Sequence, residues 1–436
     1  MSEIIIIGAG ASGLIAAREL GRAGKKVRIL EARDRIGGRI YTLSEGGFSA
    51  PIELGAEFVH GKRSHTLKLL EEYKIPYHKV EGSFWNQRGG RFTQQKDVIE
   101  HDQKLNDLLK NIKEDISVET FIQLYLSNPE DQQLAESIRG FVKGFDAADP
   151  KKASILSFKE EWSQQDEQYR IEGGYIRLIN ALWDECKQRG VSLELNTPVK
   201  EIRWNPAPLE IVTEHKTFTT TKALVTVPLG LYQLEATEKP SLSFAPSLFE
   251  KTKAAESLGF GSVIKIVLEF KEAFWKKGAT HHRLGAGLGD FSFLFAEETI
   301  PTWWSQNPSE HAILTGWLSG TAAASYLGDD DSILHEALMS ISNIFKIEQE
   351  QLKHLLVAWS SYNWQRDPLA RGAYAYPVVN GDLLVEQLRR PVGGQLYFAG
   401  EALNRGNTGT VDAALNSGLQ VAEDIMLNIK HPVTAL

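Results

Sequence analysis

Apolar residues near the start of the chain change their spacing from one short segment to the next. Four isoleucines fill positions 4–7 and glycines follow at once, which is typical of a buried strand that runs into a tight turn. Positions 12–23 carry apolar residues at helical spacing, and positions 26–30 form another short strand-like run. The pattern predicts a strand, a helix and a second strand at the start of the chain.

The pattern changes again toward the middle and the end of the chain. Residues 94–168 are polar with helical periodicity, which predicts a set of helices. The stretch "EGGYIRLINALWDECKQRGVSLELNTPVKEIRW" predicts a helix and two strands, and "ALVTVP" predicts a further strand. The region 240–366 contains strand-forming runs such as "SVIKIVLEF" and "HAILTGWLSG", and the end predicts a strand, a glycine-bearing loop and a long helix. The pattern favours an α/β protein whose two ends join one sheet.

The composition excludes several classes of protein. The 436 residues are 42% hydrophobic and 24% charged, as in an ordinary soluble globular protein, and the net charge of −8 argues against a nucleic-acid partner. Cys186 is the only cysteine, so we expect neither a disulfide framework nor a multi-cysteine metal site. No signal-peptide pattern precedes the first glycines, and no apolar run approaches the roughly 20 residues that span a bilayer. We therefore expect a cytoplasmic protein without a membrane partner, and the oligomeric state stays open.

The first glycines have the spacing of a dinucleotide-binding turn. Gly8, Gly10 and Gly13 form G-x-G-x-x-G between a predicted strand and a predicted helix, where backbone N–H groups approach a pyrophosphate. Glu31 follows at the end of the second strand, where a carboxylate accepts hydrogen bonds from ribose hydroxyls and repels a 2′-phosphate. Because the Glu31 carboxylate would repel the 2′-phosphate of NADP, the motif disfavours NADP. Both NAD and FAD remain possible.

Four stretches of the sequence decide between NAD and FAD. The sequence "GAGASGLIAARELGRAGKKVRILEARDRIGGRI" resembles the N-terminal signature of the flavin-dependent amine oxidase family. "PIELGAEFVHG" resembles the stretch beside the flavin in polyamine oxidases, "TPVKEI" resembles the adenine-side strand, and "LYFAGEALNRGNTGTVDAALNSG" resembles the closing motif. The resemblance implies FAD. Ala373 stands where mitochondrial monoamine oxidases carry the cysteine that binds flavin covalently, which implies a non-covalent cofactor.

The resemblance also implies how the chain is divided and which residues contact FAD. It implies a Rossmann-like FAD-binding domain built from the discontinuous segments 1–80, 172–238 and 368–436. The segments 81–171 and 239–367 then form a substrate-binding domain with a mixed sheet and helices. The implied cofactor contacts are Gly8, Gly10, Ala11, Ser12, Gly13, Glu31, Ala32, Arg33, Gly38, Arg39, Gly55, Ala56, Glu57, Val199, Glu401, Thr410 and Val411.

Lys265 is the first of two predicted catalytic residues. It lies inside "GSVIKIVLEF", where strict alternation places it on the same strand face as Val263 and Val267. A lysine at an edge strand that points to solvent is the common structural interpretation of such a position. The resemblance implies instead a lysine that holds a water against the flavin, where its charge would stabilise negative charge as oxygen is reduced.

Tyr374 is the second predicted catalytic residue. It lies in "DPLARGAYAYP", which matches the segment that carries one wall of an aromatic cage in amine oxidases, although a core tyrosine would also fit this position. Monoamine oxidases place a second tyrosine in the opposite wall, but this chain has Thr410, as histone lysine demethylases do. An open cage leaves room for a bulkier or longer amine. Because the sequence starts at the FAD motif, we do not expect the additional N-terminal domain of the demethylases.

Three further side chains are candidates for contact with the substrate. His60 and Glu57 lie in "GAEFVHG", and several polyamine oxidases have a histidine at the position of His60 that could bond a distal amine. Trp364 lies in "YNWQRDP". Each of these side chains could instead be purely structural, because Glu57 can present its backbone alone and the two rings can belong to the core.

The predicted function is FAD-dependent oxidation of an amine. The C–N bond is oxidised to an imine, which water hydrolyses to a carbonyl compound and an amine or ammonia, and O2 is reduced to H2O2. An L-amino-acid oxidase would need an arginine directed at the substrate carboxylate, and none stands in a matching position. The sequence also leaves open a flavin desaturase or protoporphyrinogen-type oxidase, and a flavoprotein that binds without turnover. The amine itself is not predicted.

Overall fold

The computed structural model describes residues 3–61, 64–95, 103–163, 167–233 and 242–427. Parts of the predicted helical region, residues 96–102 and 164–166, lie outside this described portion. The helices are α1 Ala11–Arg22, α2 His65–Glu72, α3 Gln103–Asn111, α4 Val118–Tyr125, α5 Gln132–Gly144, α6 Ile155–Ser163, α7 Ile176–Gln188, α8 Leu229–Tyr232, α9 Phe249–Ser257, α10 Gly278–Leu284, α11 Gly320–Ala324, α12 Asp330–Phe345, α13 Gln349–Leu355, α14 Gly381–Arg389 and α15 Val411–Leu427.

The strands are distributed over six sheets within the described residues. They are β1 Ile4–Ile7, β2 Val27–Leu30, β3 Thr42–Leu43, β4 Ile52–Glu53, β5 Phe58–His60, β6 Tyr77–Lys79, β7 Ser83–Arg88, β8 Arg91–Gln95, β9 Gln168–Ile171, β10 Ser192–Glu194, β11 Val199–Arg203, β12 Leu209–Thr213, β13 Thr217–Thr220, β14 Lys222–Val225, β15 Ser243–Ala245, β16 Gly259–Gly261, β17 Val263–Phe270, β18 Phe291–Ala296, β19 Thr302–Ser305, β20 Ile313–Ser319, β21 Leu356–Asn363, β22 Tyr374–Tyr376 and β23 Leu396–Phe398.

A five-stranded parallel sheet brings the two ends of the chain together. Its order is β10-β2-β1-β14-β23, and every neighbouring pair is parallel. Ile5 and Ile7 face one apolar core while Ile4 and Ile6 face another, so both sides of β1 are buried. A parallel strand covered on both faces has no polar side, which is why the sequence shows an uninterrupted apolar run there.

A second, seven-stranded sheet has the order β21-β17-β20-β19-β18-β7-β8. Its strands are antiparallel except for the parallel pair β18 and β7. Strand β17 lies inside this sheet between β21 and β20, so Lys265 is in an interior strand rather than at an edge. Ile264, Ile266 and Leu268 on the opposite face pack into the same core as helix α12.

The observed architecture confirms the predicted α/β composite fold, in which a Rossmann-like sheet assembles from distant segments. The strand–helix–strand unit at the start, the long final helix α15 and strand β17 all occur where the pattern predicts them. The boundaries between a FAD-binding and a substrate-binding domain stay a prediction. Among the described residues no helix is long and apolar enough to cross a membrane.

Helix α15 packs closely against helix α1 at a single glycine. A Cβ on Gly418 would lie 2.4 Å from the carbonyl oxygen of Ser12 and 2.5 Å from a methyl carbon of Ile15. Both distances are far below van der Waals contact, so a side chain there must push the two helices apart. Since α1 carries the glycine turn, this contact fixes the turn relative to the end of the chain.

We predict that Gly418→Ala destabilises the protein by about 1–3 kcal/mol, the usual cost of overpacking. Gly140→Ala is the matched control, because a Cβ at that position in α5 has no neighbour within 4 Å. The control should leave stability unchanged or raise it by up to ~1 kcal/mol through helix propensity. Urea unfolding followed by circular dichroism measures both variants, and equal stabilities would contradict the close helix contact.

Candidate active site

The turn between β1 and α1 combines two closed glycine positions with one open glycine. A Cβ on Gly13 would lie 2.0 Å from the carbonyl oxygen of Gly8, and Gly8 itself has φ +108°, so neither position tolerates a side chain. A Cβ on Gly10 would have no neighbour within 4 Å. The turn is therefore closed on its inner side and open on the side that faces a large cavity.

Ser12 adds a polar group to the open turn. Its hydroxyl oxygen is buried and has no hydrogen-bond partner among the described atoms, and it lies in the first turn of α1. The positive end of a helix dipole together with an unpartnered hydroxyl favours an anion. The open face at Gly10 and this hydroxyl fit the pyrophosphate of a dinucleotide.

Glu31 follows strand β2 directly and binds the backbone of the glycine turn. Its carboxylate accepts hydrogen bonds from the backbone N–H of Ala9 at 2.7 Å and of Arg33 at 2.9 Å. Burial raises the pKa of Glu31 against the opposing effect of these donors. The Arg33 guanidinium turns away and pairs with Asp367 at 2.7 Å. Glu31 thus lies at the cavity wall beside the glycine turn, where the sequence predicts a ribose contact.

Glu401 lies where three segments that are distant in sequence meet. Its carboxylate accepts from Arg39 at 2.7 Å and from the backbone N–H of Gly409 at 3.0 Å. Arg39 also donates to the carbonyl oxygen of Ala373 at 2.8 Å. The ion pair between Arg39 and Glu401 ties the N-terminal segment to the closing motif.

One cavity of about 2650 Å³ extends through this region. Every predicted cofactor or substrate residue lies in its wall except Gly13, which packs beneath the glycine turn. Typical pockets for drug-sized ligands have about 300–1,000 Å³, so this cavity has room for a dinucleotide with a substrate beside it. The described residues contain no cluster of three His, Cys, Asp or Glu side chains that could hold a metal ion.

Lys265 is almost completely buried, with 1% of its surface exposed, and it faces the cavity. Its ammonium donates to Glu57 at 2.7 Å and to the carbonyl oxygen of Gly55 at 3.2 Å, and it lies 5.2 Å from the centre of the Trp304 ring. An ammonium has three N–H donors, so one donor remains beyond these two contacts. Lys265 thus lines the cavity, while Val263 and Val267 on the same strand face pack into apolar clusters.

Glu57 accepts hydrogen bonds on both carboxylate oxygens. Besides Lys265, it accepts from Arg170 at 2.9 Å and from the indole N–H of Trp304 at 3.0 Å. Burial opposes the charge of Glu57, but Lys265 and Arg170 outweigh burial and hold its pKa below the ordinary value. Sequence reasoning placed Glu57 near the flavin but missed Arg170, which lies in the short strand β9.

Tyr374 forms part of an aromatic wall of the cavity. Its hydroxyl donates to the carbonyl oxygen of Phe145 at 2.6 Å, and its ring stacks on Trp317 with centroids 6.4 Å apart. Burial, together with the carboxylates of Asp146 and Glu161, raises the pKa of Tyr374 well above its ordinary value. The hydroxyl therefore stays protonated and the ring is held in one orientation.

Asp146 and Glu161 form an acidic pair that sequence reasoning missed. Both side chains line the cavity, and they share a hydrogen bond. Burial and the neighbouring Glu161 raise the pKa of Asp146 well above its ordinary value. Two carboxyl groups that share a hydrogen bond hold one proton between them, so the pair carries about one negative charge. No local sequence pattern in the polar helical region predicts such a pair.

The remaining predicted residues occupy structural positions in the cavity wall. The His60 ring packs edge-on to Phe145, with centroids 6.0 Å apart. Trp364 is buried and its indole donates to the carbonyl oxygen of Leu54 at 2.9 Å. Thr410 accepts from the backbone N–H of Ala413 at 3.0 Å and thereby caps α15. Ala11, Ala32, Gly38, Ala56, Val199 and Val411 contribute further wall positions.

This chain is similar over nearly its whole length to histone demethylases and to a polyamine oxidase. Lysine-specific histone demethylase 1 homolog 2 of Oryza sativa subsp. japonica is 29% identical over 98% of this chain and 57% of its own length. Human lysine-specific histone demethylase 2 is 29% identical over 97% of this chain and 53% of its own length. This chain therefore spans little more than half of these demethylases. Polyamine oxidase 2 of Arabidopsis thaliana is 26% identical over 98% of this chain and 88% of its own length.

Solved structures share the fold at low sequence identity. Putrescine oxidase bound to putrescine superposes with a TM-score of 0.76 at 20% identity, covering 98% of this chain and 99% of that chain. Cyclohexylamine oxidase from Brevibacterium oxydans has a TM-score of 0.76 at 19% identity, covering 97% and 98% of the two chains. The family model described as flavin containing amine oxidoreductase matches residues 11–137 and 119–426. The chain belongs to the family of flavin-containing amine oxidoreductases.

Proposed function

We propose that this FAD enzyme oxidises the C–N bond of an amine with O2 as the electron acceptor. The observation that carries the proposal is the position of Lys265 and Tyr374 in the wall of the same cavity as the glycine turn. Bound FAD supplies a two-electron acceptor, and the protein has to place a substrate C–H bond beside it. Ala373, at the position of the family's covalent cysteine, supports a non-covalent cofactor.

The overall reaction consumes one O2 and one water for each amine. The carbon next to the nitrogen loses a hydride, which is one proton with two electrons, and the nitrogen loses a second proton, which together give an imine. Water hydrolyses the imine to a carbonyl compound and an amine or ammonia, and O2 takes up two electrons and two protons to give H2O2. Atoms and electrons balance in this scheme without a metal.

Lys265 is proposed as the catalytic residue for the oxygen step. The ammonium is buried and charged, and its third N–H donor is available to a water on the cavity side. A fixed positive charge in a water-poor site stabilises negative charge that develops as O2 accepts electrons. The charge needs no reorganisation at the moment of reaction, because its partners already fix its position.

Tyr374 and Thr410 are proposed as the two walls that flank the substrate amine. Tyr374 offers an aromatic face, which attracts a cationic amine on approach and orients a neutral one. Thr410 is smaller than a second tyrosine, and its hydroxyl is committed to the cap of α15. This asymmetry supports a longer or bulkier amine over a small aromatic monoamine, and His60 borders the same space.

The acidic pair supports a substrate that carries a second cationic group. Asp146 and Glu161 interact electrostatically with Tyr374 and line the same cavity, so a chain that reaches from Tyr374 would bring its distal ammonium to them. A polyamine oxidase and a putrescine oxidase among the similar proteins are consistent with a diamine or polyamine. An amino-acid carboxylate would meet repulsion at this pair, which disfavours an L-amino-acid oxidase. A flavin desaturase or protoporphyrinogen-type oxidase would not need Lys265 or Tyr374.

We predict that a diamine or polyamine bleaches the flavin of the purified protein under nitrogen. Each compound of an amine panel is mixed with the FAD-loaded protein, and loss of the visible absorption band identifies a reducing substrate. Mass analysis of the products then locates the cleaved C–N bond. An absence of bleaching with every amine in the panel would contradict the proposed function and favour a flavoprotein without amine turnover.

We predict that Lys265→Met slows reoxidation of reduced flavin by O2 about 10²–10³-fold, the usual cost of removing one preorganised electrostatic group. Stopped-flow absorption measures the reoxidation rate directly. Lys271→Met is the matched control, because Lys271 follows the same strand but is exposed. Equal reoxidation rates in Lys265→Met and the wild type would eliminate the proposed role.

We predict that the double variant Asp146→Asn with Glu161→Gln, which removes the one negative charge of the pair, raises the KM for a diamine about tenfold and leaves kcat nearly unchanged, because one charge–charge contact of ~1.4 kcal/mol is lost. The KM for a monoamine of equal chain length should not change, since it has no distal ammonium. Glu256→Gln, an exposed acid elsewhere, serves as the control. An equal rise in KM for both amines would show that the acidic pair does not bind a distal charge.

A further inference from the structure

Three charged side chains are buried together where strand β17 meets the cavity. Lys265 is 1% exposed, Glu57 is 9% exposed and Arg170 is 6% exposed. Glu57 bridges the two cations, since one carboxylate oxygen accepts from Lys265 and the other accepts from Arg170. We refer to these three residues as the buried charge cluster.

The contacts of Arg170 hold the cluster rigid. Its guanidinium donates to the carbonyl oxygens of Ser305 and Asn307 at 3.0 and 3.1 Å, and it lies 4.8 Å from the centre of the Phe58 ring. Burial lowers the pKa of Arg170, and Glu57 opposes this shift. An arginine stays charged under such conditions, because a guanidinium is too basic to lose its proton near neutral pH.

The charges of the cluster do not cancel. A pair of Lys265 and Glu57 alone would be neutral, and it would exert little field on the cavity. Arg170 adds a positive charge without an acid of its own in the cluster, so the three groups together carry a formal charge of +1. Glu53, a nearby acid whose pKa burial raises to about 7, also interacts electrostatically with Lys265.

We propose that Glu57 and Arg170 are positioning residues for Lys265, and that the surplus charge of Arg170 makes the whole cluster favour the reduced flavin. This inference rests on the proposed function in one respect, namely that Lys265 faces the flavin ring. Glu57 fixes the position of the Lys265 ammonium, while Arg170 fixes Glu57 and offsets its negative charge. The field at the flavin is then a property of three side chains, not of Lys265 alone.

The reduction potential of the bound FAD tests this inference without any amine. The potential is measured by anaerobic equilibration with reference dyes at about pH 6, where Glu53 is largely protonated. Lys265→Met and Arg170→Met should each lower the ratio of reduced to oxidised flavin about tenfold, given an effective dielectric constant of about 20. A tenfold change equals a shift of ~30 mV for a two-electron couple.

The direction in which Glu57→Gln changes the reduction potential distinguishes an effect of charge from structural damage. Glu57→Gln removes the negative charge, so the potential should stay at the wild-type value or rise, opposite to the two cation variants. Arg170→Lys keeps the charge and should restore the potential toward wild type. Arg366→Met, which removes an exposed arginine elsewhere, should leave it unchanged.

Two results would overturn the inference. One is a reduction potential in Arg170→Met that equals the wild-type value, because Lys265 alone would then produce the electric field at the flavin. The other is a Glu57→Gln potential as low as that of Lys265→Met, because the losses would then reflect disorder. Arg170→Gln, which can still donate to a backbone carbonyl, replaces Arg170→Met if that variant fails to fold. Since no substrate is added, the outcome is independent of whether any amine bleaches the flavin.

Discussion

The ion pair between Lys265 and Glu57 is the constraint on which the geometry of the cavity depends. Both charges are buried, and a buried charge without a partner costs several kcal/mol, so neither side chain can move away alone. Lys265 belongs to the seven-stranded sheet, while Glu57 follows β4 in the segment that leads into β5. The pair therefore locks this segment against the sheet and fixes one wall of the cavity.

The cavity carries opposite electrostatic conditions at its different walls. The first turn of α1 with Ser12 suits a pyrophosphate, and the net positive cluster at Lys265 suits negative charge on a reduced ring. The acidic pair beside Tyr374 suits a cation. These walls come from distant parts of the chain, joined by the pair of Arg39 with Glu401 and by the close contact at Gly418. Under the proposed function, an anionic cofactor and a cationic substrate would therefore bind at different walls of one cavity.

The sequence predicts the parts of this arrangement that depend on local patterns. The run 4–7, the glycine spacing and the alternation around Lys265 reflect strand and turn geometry, and the structure has these features in place. Tyr374 and Thr410 were identified only through family resemblance, because nothing local distinguishes them from core residues. Arg170 and the acidic pair were missed, since their role arises from partners more than a hundred residues away or from a helical region without a motif.

A crystal structure of the FAD-loaded protein tests the central claim most directly. We expect electron density for an isoalloxazine ring that lies between the Lys265 ammonium and the Tyr374 ring, with the pyrophosphate against Gly10 and Ser12. A ring bound elsewhere, or a ring separated from both side chains by intervening protein, would contradict the account.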